Sequence, residues 1–180
     1  MEEMEDTSEK LQEIREEIEE NERKEAWMFK VALTTAIISV LAAITGLFAG
    51  HHANEAVIEQ IKASDRWAQY QAKAIKLDVE HSTSVILEAT GKPVDPELAK
   101  HTAKLEEDKV EIKKVADEEE HASQNHLAIH AILARAVTIF QVGIAISAIA
   151  IVTRKKWLWY GSMALAGAAV YFMVSGFLAG

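Results

Sequence analysis

Histidines and carboxylates crowd two short stretches of this chain. His51 and His52 stand side by side, and Glu118, His121, His126 and His130 follow one another closely further on. His126 and His130 are four residues apart, which sets two imidazoles on one face of a helix. Glu118-x-x-His121 has the carboxylate–histidine spacing of helical metal sites. Such donors suit zinc or iron, and Glu55, Glu119 and Glu120 could complete a shell. The plainer reading is that His and Glu serve here as polar residues beside a membrane. The expectation is therefore no cofactor, with a metal at His51, His52, Glu118, His121, His126 and His130 as the alternative.

Other chemistry is thinly represented. There is no cysteine, which removes disulfides, thiolate catalysis and cysteine-ligated metals. Asp65 and Glu119 interrupt otherwise apolar rows, and a buried carboxylate costs several kcal/mol unless paired. Arg66 or a lysine across the seam is the expected partner. No nucleophile stands beside a base, so the chain is not expected to be an enzyme. A metal-dependent activity at the histidines is the remote alternative.

The elements that must carry these residues are helices. Residues 31–50, 136–152 and 157–178 hold no charged side chain. A bilayer core about 30 Å thick needs roughly 20 helical residues to cross it. The first and third runs suffice, and the second does if the span is 131–153 with Arg135 reaching the headgroups. The rest is acidic. Residues 1–26 hold 12 acids and 4 bases, and residues 51–126 hold 16 acids and 10 bases. Such surfaces repel nucleic acid and anionic headgroups, and neither is expected as a partner of these acidic segments. The lipid bilayer is the expected environment.

Residues 1–26 read as an acidic amino-terminal helix. Leu11, Ile14 and Ile18 form a narrow apolar seam that would pair with another helix. A membrane helix at 27–50 follows, then a charged helical segment at 51–130. Within it, Ile58, Ile61, Ala68, Ala72, Ile75, Val79 and Ile86 recur at alternating steps of three and four once Asp65 and Ser82 fill the gaps. Leu98, Leu105, Ile112, Glu119, His126, Leu133 and Phe140 recur every seven residues, with Val115, Ala122, Ile129 and Ala136 as a companion row. These are heptads. Both prolines lie in the turn at 91–96, where Asp95 caps the next helix and Pro96 opens it. The segment is expected to fold as an antiparallel coiled-coil hairpin. Its first arm, residues 51–90, would be roughly 60 Å long at 1.5 Å per residue.

Membrane helices at 131–153 and 157–178 complete an all-α, three-span protein. Arg154, Lys155 and Lys156 form the short basic loop between them. Short basic loops stay in the cytoplasm. That rule predicts an inner-membrane, multi-pass protein with a cytoplasmic amino terminus and an external hairpin. Gly46-x-x-x-Gly50 and Gly176-x-x-x-Gly180 mark faces where helices approach closely. Gln141 is expected to bond across helices at mid-membrane.

The segment SDRWAQYQAKAIK at residues 64–76 resembles the signature of a bacterial membrane family catalogued as domain of unknown function 4337. The layout of one span, a charged helical middle and two closing spans is similar too. The resemblance implies an architecture and no activity. Within the motif, Trp67 and Tyr70 are helical neighbours, and a cation–π contact with Lys73 is expected. The surface predicted to join copies comprises Trp67, Tyr70, Lys73, Gly46, Gly50, Leu11, Ile14 and Ile18. The functional expectation is a homo-oligomer of cyclic symmetry acting as a structural or interaction scaffold, its protein partner unknown. An oligomeric ion or small-solute channel is the alternative.

Overall fold

A computed structural model describes the backbone of residues 2–179 and the side chains of residues 13–179. Leu11 and Gly180 lie outside the described side chains. Three helices account for nearly all of the backbone: α1 at Glu2–Ala89, α2 at Pro96–Thr153 and α3 at Lys156–Leu178. Each is long and apolar enough to cross a membrane. α1 passes through the boundary expected between residues 26 and 27 without a break. No proline precedes residue 93, and Gly46 and Gly50 are held within the helix.

The end of α1 is specified locally. Gly91 sits at φ 68, a conformation that costs any residue with a Cβ about 1–2 kcal/mol. Its amide donates to the Glu88 carbonyl, and the Lys92 amide donates to the Leu87 carbonyl at 2.9 Å. This Schellman pair satisfies carbonyls that the helix end leaves open. Pro93 then forbids renewal of the helix. α2 starts where the Asp95 carboxylate accepts the Glu97 amide at 2.9 Å, with Pro96 at the first helical position.

The chain divides into two units. The first comprises Met1–Phe48 with Ile132–Ala179 and contains parts of all three helices. Its core is Ile38, Ala42, Phe140, Ala166 and Ala169. Small residues allow the helices to approach. A Cβ on Gly176 would run into Leu133, with Cγ at 2.8 Å, and one on Gly143 would meet the Ser162 carbonyl at 3.4 Å. Thr35 and Ser147 share a hydroxyl–hydroxyl bond of 2.5 Å, and the Trp159 indole donates to Thr34 at 3.2 Å. Packing and hydroxyl bonds of this kind hold helices together where lipid removes the hydrophobic driving force. Gln141, expected to bond across helices, is instead exposed.

The second unit, Ala49–Ala131, packs α1 against α2. Ser123 meets Ala56, Lys73 meets Asp108, and His101 meets Glu80. The second index falls as the first rises, so the helices are antiparallel. Ala56, Ala63, Leu105, Ala116 and Ile129 are buried between them. In water, burying a side chain such as Leu105 or Ile129 contributes about 1.5–3 kcal/mol.

Candidate functional site

In the second unit, α1 turns one row of residues towards α2 and another away from it. The inward row is His52, Ala56, Glu59, Ala63, Arg66, Tyr70, Lys73, Leu77 and Glu80, all buried or half-buried. Its steps alternate four and three, the period at which one helix tracks another. Alanines at 56 and 63 let the backbones draw close, and the polar members find partners across the gap.

Those partners form a ladder. The Ser123 hydroxyl donates to the Ala56 carbonyl at 2.8 Å. Arg66 approaches Glu119 at 3.6 Å, the pairing expected for a carboxylate interrupting a seam. Among the described residues, the other Glu119 oxygen is buried without a partner. Lys73 and Asp108 lie 2.5 Å apart, and the Lys73 hydrogen bond holds the Asp108 carboxyl below the usual carboxylate range. Glu80 accepts from His101 at 2.6 Å and from Thr102 at 3.0 Å.

The aromatic motif belongs partly to this inner face. Trp67 and Tyr70 meet edge to face at 5.6 Å and are half-buried. The cation over the Tyr70 ring is Lys109 of α2, 5.4 Å from the centroid. Lys73, expected in that role, is engaged by Asp108. Six residues of helix turn it away from the Trp67 ring.

The histidines divide. His52 and His126 face each other with their Nδ1 atoms 2.9 Å apart. One must donate and the other accept, so the bond requires at least one neutral ring. Burial holds the His52 pKa below its ordinary value, and His126 and His51 add to that shift. His51 stacks at a tilt beside His52, with centroids 5.5 Å apart. His130 donates from Nδ1 to the Ala49 carbonyl at 2.8 Å. His121 is exposed, and Glu118 pairs with Lys114 at 3.8 Å on the surface. Among the described residues, no group of three or more His, Asp or Glu side chains converges as a metal shell would.

The outward row of α1 carries the apolar residues read from the sequence as the seam, and here that reading is corrected. Ile61 is 57% exposed, Ile75 64%, Val79 60% and Ile86 62%, and Ile58, Val57 and Val85 are exposed as well. Conversely, Trp67 and Tyr70, which stand outside that row, are half-buried. α2 behaves as its pattern indicated: Leu105, Ile129, Leu133, Ala136 and Phe140 are all buried. Gly46 packs near Val137 within the chain, and among the described residues nothing stands within 4 Å of a Cβ built on Gly50. Ile14 and Ile18 are exposed. The ladder partners Glu80, His101, Thr102, Asp108 and Ser123 were not singled out from sequence. A signal existed, because His52, Glu59, Arg66, Lys73 and Glu80 recur every seven residues.

Residues 27–179 match the family model described as Domain of unknown function (DUF4337), and the chain belongs to that family. No curated protein matches the chain, and no solved structure does.

Proposed function

We propose that this member of the DUF4337 family is a homo-oligomeric integral membrane protein, a scaffold that presents its antiparallel helix pair as a coiled coil outside the bilayer. The supporting observation is the outward row of α1. Lipid would cover such a row within the apolar runs, but the segment around Ile58–Ile86 is rich in charge and belongs in water. Exposed apolar patches of this kind mark contact surfaces.

The row's spacing selects a helix as its cover. Ile58, Ile61, Ala68, Ala72, Ile75, Val79 and Ile86, all exposed, keep alternating steps of three and four with Asp65 and Ser82 in the gaps, and Asn54 precedes them in the same row. A seven-residue repeat held over this length matches a partner helix of equal period. A second copy meets that requirement, because chains inserted the same way present the same row at the same height. The flanking positions tolerate self-pairing. In a parallel pair they set Ser64 by Gln69, Gln71 by Lys76 and Asp78 by Thr83, with no like charges opposed. Asn54 is a polar seam residue of the type that fixes register. Exposed Gln141 adds an amide that would gain a partner from a neighbouring chain.

The localisation we propose is the bacterial inner membrane, with the amino terminus and the Arg154–Lys156 turn cytoplasmic. Light scattering in mild detergent tests the assembly. The protein should have a mass several times 19.9 kDa. Ile75→Glu with Val79→Glu should lower it towards one chain while helicity is kept. Tyr70→Ala, in the inward row, should leave the mass unchanged. A stable, monodisperse monomer of the unaltered protein would defeat the proposal.

A further inference from the structure

The first unit contains a cleft of about 610 Å³ between the segment around Glu20–Met28 and the turn joining α2 to α3. Arg23, Lys24, Arg154 and Lys156 line it, against the two acids Glu20 and Glu25. Lys24 is taken by Glu20 at 2.8 Å, and that bond holds the Glu20 carboxyl below its ordinary range. Arg23 uses its Nε on the Glu19 carbonyl, which leaves the terminal nitrogens of its guanidinium. Among the described residues, Arg154 and Lys156 form no ion pair. Trp27 also lines the cleft. Among the described residues, its indole N–H is buried without an acceptor.

The cleft stands where charge gives way to apolar sequence. The exposed Phe29 and Leu33 follow Trp27 along α1, exposed Val152 precedes Arg154, and exposed Trp157 follows Lys156. Anionic oxygens would meet guanidinium and ammonium groups, while hydrocarbon attached to them would meet aromatic and aliphatic surface. We propose that this cleft binds the phosphate headgroup of an anionic phospholipid. Arg154 and Arg23 offer the paired N–H geometry that suits the two non-bridging oxygens of a phosphodiester. Lys156 supplies a point charge. Basic clefts between membrane helices recognise lipid headgroups by this chemistry. The site rests on the membrane insertion proposed above but does not depend on the number of copies.

The test uses the full chain, purified and delipidated in a mild detergent. Phosphatidylglycerol, phosphatidylcholine and inorganic phosphate are added separately. Native mass spectrometry counts retained lipid, and a thermal ramp reports stabilisation. Phosphatidylglycerol should be retained and should raise the melting midpoint, with phosphatidylcholine at least tenfold weaker. Arg154→Gln with Lys156→Gln should erase that preference, and Arg23→Gln alone should weaken it, should the double variant fold poorly. Arg135→Gln, an exposed cation elsewhere in the unit, should change nothing. Equal retention of both lipids, or undiminished binding by all the cleft variants, would overturn the site. Stabilisation by inorganic phosphate equal to that by phosphatidylglycerol would overturn the lipid as its occupant. A chain released from membranes by carbonate without detergent would instead sink the insertion reading.

Discussion

His52 and His126 are held by a bond that at most one of them can enter protonated. Burial favours the neutral His52 ring, so its folded pKa lies below the unfolded value of about 6.5. The sign follows from linkage: a group with a depressed folded pKa stabilises the fold above its unfolded pKa, and that contribution is lost as the pH falls through the folded one. The helix pair should therefore melt earlier as the pH drops from 7 towards 5. His126→Gln should flatten that dependence when thermal midpoints are compared across the range. A midpoint that rises on acidification in the unaltered protein would refute the account. The pairing was half legible: the sequence marked both histidine clusters as candidate ligands of one site, but the orientation of each ring depends on contacts that no spacing encodes. His121 and Glu118 show this, since their i, i+3 spacing was correct for a shared ligand and both are exposed.

Helix α2 was legible because its apolar row is also its buried row. Helix α1 was misread because it has two heptad rows, and the more apolar one faces outward. The inward row won the pairing through small size and matched polarity. Ala56 and Ala63 admit close approach, and Arg66, Lys73 and Glu80 meet charged or hydroxyl partners on α2. Hydrophobicity alone could not rank the two rows, since it scores Ile75 and Val79 above Ala63 and Lys73. The difference is testable by enlarging each face. Ala63→Leu should cost about 1–3 kcal/mol by overpacking a fully buried position. Ile75→Leu on the outer row should leave the pair's melting nearly unchanged. The reverse order in calorimetry would mean that α1 presents its other face to α2.

For the molecule as a whole, the sequence conveyed the number of apolar helices, the single turn between α1 and α2 and the family. It did not convey which surface is left over once those helices pack, because that depends on which row the antiparallel partner consumes. The orientation proposed above rests on the basic residues at the α2–α3 turn. With no cysteine in the chain, a cysteine placed at Val94 in the α1–α2 turn is a unique probe. It should react with an impermeant maleimide in intact cells, and labelling only after lysis would reverse the proposed orientation.

As the pairing surface proposed above, the outward row of α1 also bears on how tightly copies would need to hold one another. Its isoleucines and valines are interrupted by Asp65 and Ser82, so as a pairing surface it is moderate. Chains anchored in one bilayer do not search a volume; they meet in a plane, already parallel and at matching height. Much of the orientational entropy lost on association is then lost at insertion, and the effective concentration of one row for another is correspondingly high. A seam too weak to hold free helices together in dilute solution is sufficient under that confinement. The extent of assembly would then follow the surface density of the protein, fading as lipid is added at constant protein and returning as lipid is withdrawn.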